Sequence, residues 1–148
     1  LYGPEDNFHP DYSHVIPGLI VRMHAALKNQ DPEFEVWGSG KVLREFMHVD
    51  DCVDGILYAA DYFHEGEIVN ISPGKELTTR ETAEIVKNNL GYTGKLIQDT
   101  SMPDGTPRKL ADPSIMNDIG WKPKISFEDG IKESIEWYLT NINNLRGK

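Results

Sequence analysis

The sequence is short of cysteine, of basic residues and of long apolar segments, and each shortage excludes a class of protein. Its single cysteine, Cys52, cannot form an internal disulfide, which favours an intracellular, reducing compartment, the cytoplasm. The formal net charge of −9 argues against a nucleic-acid partner, because phosphate backbones require a basic surface. Neither a long apolar run nor a charged-then-apolar leader occurs, so no membrane span and no secretory signal is predicted.

The motifs of a dinucleotide-binding domain are also missing. Gly38 and Gly40 supply a Gly-x-Gly pair, but no third glycine follows at the start of a helix. No tyrosine is followed four positions later by a lysine. The chain therefore does not carry a dinucleotide fold by itself. Because the sequence opens on Leu1 rather than on methionine, we interpret it as a fragment of a longer protein.

The apolar pattern predicts a helix-rich α/β fold, an α+β-like small domain with several short strands. Helical spacing predicts helices, and extended runs bounded by turn residues predict strands. Helices are predicted at 13–28, 113–119 and 126–142, together with one that carries Val53, Ile56, Leu57 and Ala60 and one that follows Thr78 and Thr79 and is closed by Gly91. The predicted strands are 34–38, 43–49, 68–72 and 95–99. At 148 residues and 39% hydrophobic, the chain suffices for one domain, 1–148, in which 1–12 form a leading loop.

Capping residues predict where these helices begin. Ser13 is the expected cap of the first helix, Asp50 or Asp51 of the second, and Ser126 of the last. The last helix is expected to turn its apolar side chains toward the core, namely Ile131, Ile135, Trp137, Tyr138 and Leu139.

Three segments carry a family resemblance: 1–20 (LYGPEDNFHPDYSHVIPGLI), 36–51 (VWGSGKVLREFMHVDD) and 103–123 (PDGTPRKLADPSIMNDIGWKP). Together they resemble the GDP-L-fucose synthases, NADP-dependent 3,5-epimerase-4-reductases of the extended short-chain dehydrogenase/reductase family. LYGP, REFMHVDD and IGW are shared widely by nucleotide-sugar enzymes of that family, whereas NFHPDYSHVIP and PDGTPRK look specific to this branch. The resemblance implies a C-terminal substrate-binding domain whose N-terminal Rossmann domain is absent.

The resemblance also implies the reaction and its partners. The substrate would be GDP-4-keto-6-deoxy-D-mannose, converted to GDP-L-fucose by 3,5-epimerisation and NADPH-dependent 4-reduction. The glycine-rich NADP loop, the Ser-Tyr-Lys group and the catalytic cysteine would belong to the absent half. Cys52 is then a packing residue, NADP is bound mainly by the missing domain, and the fragment is inactive alone. The whole enzyme is expected to be a homodimer.

His14 is the candidate catalytic residue. A ketone at C4 acidifies the protons on C3 and C5, and moving them needs a group that exchanges protons near neutral pH. Histidine is such a group, and the positive end of a helix disfavours its charged form. His14 matches the family's acid/base histidine, and the resemblance places both His14 and Leu1 beside the cofactor. His9 is expected to shape the loop, and no metal site is predicted.

The GDP end of such a substrate requires cations and a flat surface. Arginine presents forked donors to phosphate oxygens, and lysine presents a point charge. Arg22 lies eight positions after His14, so both side chains can face one cleft. Each candidate also has an ordinary alternative as a packing or surface residue. The substrate-binding candidates are Arg22, Trp37, Arg44, Asp104, Arg108 and Lys109, with Lys109 as the main cation of a loop that closes over the pyrophosphate.

Two other functions remain open at the level of sequence. Another NAD(P)-dependent nucleotide-sugar epimerase or dehydratase would keep REFMHVDD but lack the histidine of SHVIP. A free-standing nucleotide-sugar binding module would have no cofactor motif upstream of Leu1. His48, Asp50 and Asp51 are interpreted as structural residues, a satisfied histidine and a helix cap.

Overall fold

The computed structural model describes residues 1–63 and 68–145. These residues form five helices and five short strands. In chain order they are α1 (Val15–Asn29), β1 (Glu33–Trp37), β2 (Leu43–Arg44), α2 (Val49–Tyr62), β3 (Leu77–Thr78), α3 (Thr79–Leu90), β4 (Lys95–Asp99), β5 (Arg108–Lys109), α4 (Ser114–Asp118) and α5 (Phe127–Asn141).

Two small sheets are packed among the helices. β1 and β4 pair in parallel, from Glu33 opposite Lys95 to Trp37 opposite Asp99. The other sheet has the order β3-β2-β5, with β2 antiparallel to β3 and parallel to β5. α1 and α3 pack against β1, and α5 packs against α3, which encloses the main core. The predicted α/β class, rich in helices with several short strands, is confirmed.

Local sequence signals account for the ends of α3 and α5. The Thr78 hydroxyl accepts the backbone N–H of Glu81 at 3.1 Å, and the Glu81 carboxylate accepts the N–H of Thr78 at 2.8 Å. Gly91 ends α3 in the left-handed region at φ +71°, which glycine adopts without steric cost. α5 begins after Ser126, whose hydroxyl accepts the N–H of Asp129 at 3.1 Å. These ends agree with the sequence predictions.

Two predicted caps are wrong, and both are replaced by a histidine. The N-cap of α1 is His14 rather than Ser13, so the helix begins at Val15, one residue later than a Ser13 cap would place it. The N-cap of α2 is His48 rather than Asp50 or Asp51. The Nδ1 atom of His48 accepts the N–H of Asp50 at 3.3 Å, the bond that a serine or aspartate cap would make.

His48 and Asp51 of REFMHVDD make structural contacts, but the predicted satisfied histidine is wrong in part, because its buried Nε2 atom has no hydrogen-bond partner among the described residues. His48 is buried; its Nε2 atom lies 3.5 Å from a carboxylate oxygen of Glu133 on α5. The buried carboxylate of Asp51 accepts the backbone N–H groups of Lys124 at 3.0 Å and Ile125 at 2.9 Å. α2 is therefore tied to the segment that leads into α5.

Two further predictions are wrong. Residues 68–72 form no strand, and Ile68 is 91% exposed. The segment is held by Val69 and Ile71, which pack against the cluster around Trp121, and by the buried Ser72, whose hydroxyl donates to the Glu45 carboxylate. Leu139 on α5 is exposed rather than turned inward.

One face of α2 is apolar and uncovered. Val53, Ile56 and Leu57 lie within about 100° of one another around the helix and are each at least half exposed. Cys52 on the same helix is half-buried and packs against the small cluster around Trp121, in agreement with a packing role. In the part of the chain that the structure describes, we find no helix with the length and hydropathy needed to cross a bilayer.

Candidate substrate and cofactor site

A cleft of about 320 Å³ opens between the start of α1, the end of β1 and the loop that follows β4. We call it the binding cleft. It brings together side chains from four segments that are far apart in sequence. Of the predicted site residues, His14, Arg22, Trp37, Arg44 and Asp104 line it.

His14 lies at the boundary between the binding cleft and a second, more open hollow of about 740 Å³. Its side chain is exposed and does not cap α1. Within residues 1–63 and 68–145, the imidazole has no hydrogen-bond partner. The ring is therefore accessible to a ligand in either cavity.

Arg22 and Trp37 form a stacked pair in the cleft. The guanidinium carbon of Arg22 lies 4.1 Å from the centre of the Trp37 ring and 5.0 Å from that of Phe34. One amine of Arg22 donates to the Glu35 carbonyl at 2.7 Å. Burial lowers the pKa of Arg22, and the nearby Glu35 carboxylate partly offsets this effect. Trp37 remains 51% exposed, so a flat ligand can reach its ring.

Asp104 fastens the loop after β4 to the turn after β1. Its carboxylate accepts the backbone N–H of Ser39 at 2.8 Å, and this bond lowers the pKa of Asp104. Gly38 permits the contact, because a Cβ at this residue would overlap the Asp104 carboxylate. Its φ of +80° also requires a glycine. Asp104 thus holds one wall of the cleft in place.

The three basic candidates on β2 and β5 are not equivalent. Arg44 and Lys109 are partners in the parallel ladder, so their side chains share one face of the sheet, and Arg44 lines the cleft. Arg108 projects from the opposite face. Its guanidinium forms a forked ion pair with Glu76, with distances of 2.7 to 3.0 Å, and the pKa of Glu76 is lowered by this pair. Arg44 and Lys109 thus lie on the same face of the sheet, whereas of the three only Arg44 lines the cleft.

The second hollow is acidic. Leu1 and His14 line it together with Glu5, Asp6, Asp50 and Glu133. Its lining residues in the described chain include no lysine or arginine. Such a wall fits the uncharged carboxamide end of a nicotinamide cofactor but not its phosphates, which require cationic or N–H donors.

His9 shapes the loop before α1, as predicted. Its Nδ1 atom accepts the backbone N–H groups of Asp11 at 3.0 Å and Tyr12 at 3.2 Å.

Two hydroxyl groups that line the cleft, those of Ser13 and Thr79, were not predicted as site residues. The sequence signal for Ser13 is Gly18, which lies in the first turns of α1, where alanine would form a helix more readily. A glycine there indicates that a neighbouring group needs the space of its missing side chain.

The chain is similar in sequence to several known proteins. The model of the NAD dependent epimerase/dehydratase family matches residues 1–72. GDP-L-fucose synthase 1 of Arabidopsis thaliana is 51% identical over 144 residues, which cover 97% of this chain and 45% of that protein. GDP-L-fucose synthase of Escherichia coli (strain K12) is 41% identical over 156 residues, 99% of this chain and 49% of that protein.

Structural comparison gives the same result. The crystal structure of a GDP-L-fucose synthetase from Naegleria fowleri bound to NADP superposes with a TM-score of 0.90 at 30% identity, covering 98% of this chain and 44% of that one. The chain thus spans less than half the length of these relatives. Residues 1–72 are thus similar to the NAD dependent epimerase/dehydratase family, and nearly the whole chain is similar to the C-terminal portion of GDP-L-fucose synthases.

Proposed function

We propose that this chain is the substrate-binding domain of a GDP-L-fucose synthase. The whole enzyme would convert GDP-4-keto-6-deoxy-D-mannose to GDP-L-fucose by 3,5-epimerisation and NADPH-dependent 4-reduction. The observation that carries the proposal is the convergence of a free histidine, a stacked Arg–Trp pair and an arginine in one cleft. The proposal includes a cytoplasmic location and a homodimer of the whole enzyme.

The two ends of a GDP-sugar fit different parts of the cleft. The exposed face of the Trp37 indole offers a stacking surface for guanine, and Arg22 packs against the other face of the indole. Arg44 and Lys109, on one face of β2 and β5, supply two positive charges for the pyrophosphate. The sugar would then lie toward His14.

His14 would act as the acid/base group. When the C4 ketone withdraws electrons, a base removes the proton on C3 or C5 and leaves an enolate. A proton returned to the opposite face of that carbon inverts its configuration. His14 can take part in this exchange because its imidazole has no partner in the described chain and borders both cavities.

NADPH, when bound, supplies the hydride that reduces C4. Leu1 and His14 would form the wall beside the nicotinamide, and the acidic lining of the second hollow requires the phosphates to be bound outside this chain. The apolar face of α2 and the unpaired residues 68–72 are suitable surfaces for the N-terminal α/β domain that the longer relatives possess. The chain would be inactive without that domain.

Titration of GDP into the chain tests the binding part of the proposal. We expect GDP to bind, and Arg44→Ala and Lys109→Ala each to weaken binding by about 1.5–3 kcal/mol, the range for a hydrogen bond to a charged group. Arg108→Ala is the matched control: it removes a neighbouring cation that is already paired with Glu76, so GDP affinity should be unchanged. Equal losses for Arg108 and Lys109 would contradict the assignment.

NADPH oxidation tests the division of labour. The chain alone should show no turnover with GDP-4-keto-6-deoxy-D-mannose, because the described residues that line the second hollow include no lysine or arginine to bind the cofactor phosphates. A chimera that joins it to the N-terminal portion of the Arabidopsis thaliana relative should regain NADPH oxidation. Turnover by the chain alone, measured as loss of absorbance at the NADPH band, would reject the missing-domain hypothesis.

A further inference from the structure

Ser13 places a hydroxyl in the wall of the binding cleft, next to His14. The residue is half-buried, and it is not the cap of α1, since that position belongs to His14. The first helical hydrogen bond of α1 runs from the N–H of Gly18 to the His14 carbonyl, at 2.9 Å. The backbone of α1 therefore makes no use of the Ser13 hydroxyl.

The Ser13 hydroxyl has no hydrogen-bond partner within residues 1–63 and 68–145. The hydroxyl is therefore available to a ligand in the cleft. A hydroxyl can both donate and accept, so it suits the hydroxyl and carbonyl oxygens of a sugar. The other hydroxyl of the cleft differs in this respect, since Thr79 donates to the Val42 carbonyl at 3.3 Å.

Gly18 supplies the space for this hydroxyl. A Cβ at residue 18 would lie 2.9 Å from the Ser13 oxygen, closer than an ordinary carbon–oxygen contact. Glycine inside a helix is less favourable than alanine by about 0.5–1 kcal/mol. Gly18 lines the cleft, so this unfavourable helical glycine lies where the space it leaves is part of the site.

We infer that Ser13 is a further substrate-positioning residue, whose hydroxyl binds an oxygen of the sugar while Gly18 keeps that hydroxyl directed into the cleft. The inference rests on the proposed function, which places the sugar beside His14. It predicts that Ser13 distinguishes a GDP-sugar from GDP, whereas Arg44 and Lys109 contribute to the binding of both.

Calorimetric titrations of the chain with GDP-L-fucose and with GDP test the inference. We expect Ser13→Ala to weaken GDP-L-fucose binding by about 3- to 10-fold, the range for one neutral hydrogen bond, and to leave GDP binding unchanged. Gly18→Ala should act in the same direction by displacing the hydroxyl. When Ser13 is already alanine, Gly18→Ala should not weaken GDP-L-fucose binding further, because the hydroxyl oxygen that the new methyl group would displace is absent. Thr79→Val is the control and should leave the ratio of the two affinities unchanged.

The outcomes separate this inference from the proposed function. If Ser13→Ala changes neither affinity, or weakens both equally, the role of Ser13 is overturned while the GDP site stands. Additive effects of the two substitutions would overturn the part assigned to Gly18. Failure of the unmodified chain to bind GDP or GDP-L-fucose would overturn both proposals.

Discussion

Replacement of His14 by glutamine should abolish epimerisation in the chimera with the Arabidopsis thaliana N-terminal portion. Glutamine keeps a polar side chain at the end of the cleft but cannot exchange a proton near neutral pH. Loss of a positioned acid/base group typically lowers the rate by about 10²–10⁴-fold. The measurement is solvent-deuterium incorporation at C3 and C5 of the bound sugar, followed by NMR, with GDP affinity measured in parallel. We expect exchange to be lost and affinity to be nearly unchanged.

His9 provides the matched control for this substitution. Its ring accepts two backbone N–H groups, and asparagine can make the same local bonds through its side-chain oxygen. His9→Asn should therefore preserve the loop and retain exchange at C3 and C5. Wild-type exchange in the His14→Gln chimera would remove His14 from the mechanism. Loss of exchange in both variants would indicate that the loop, rather than the imidazole, is what the reaction requires.

The helix ends show how much of the fold local sequence determines. The capping box of α3 and the serine cap of α5 are complete within four residues, so a sequence pattern suffices to place them. The start of α1 is not local in this sense, because the better capping residue, Ser13, lies in the cleft wall and histidine takes its place. Functional positions are where local preferences fail.

Strand pairing shows the complementary limit. Residues 68–72 have the composition of a strand, but a strand requires a neighbour about 4.8 Å away, and the described chain offers none. Arg108 and Lys109 were both predicted to bind substrate from one loop, with Lys109 as the main cation. Once they belong to a strand, their side chains alternate, and only Lys109 can share a face with Arg44. Composition indicated the basic cluster, whereas the pairing of β2 with β5 determined which member faces Arg44.

The Asp51 carboxylate is the side chain whose loss should most destabilise the fold. It is buried and accepts the N–H groups of Lys124 and Ile125, which precede α5. Asp51→Ala would leave both donors without a partner in a place that water reaches poorly. At about 1.5–3 kcal/mol for a hydrogen bond to a charged group, and with partial relaxation, we expect a loss of about 2–4 kcal/mol in the free energy of unfolding. Urea denaturation followed by circular dichroism measures it.

Asp50 is the control, since it lies in the same first turn of α2 but is exposed. Asp50→Ala removes only a favourable charge near the helix N-terminus, which is worth about 0.3–1 kcal/mol. Equal losses of stability in the two variants would show that Asp51 acts only as a charge at the helix N-terminus and not through its two hydrogen bonds.

The hydrogen bonds of Asp51 also affect the site, because α5 places Phe127 against Tyr2, which lines the second hollow. Burial, reinforced by the Asp51 carboxylate, raises the pKa of Tyr2, so its phenol stays neutral in that wall. Asp51→Ala should therefore loosen the second hollow more than the binding cleft.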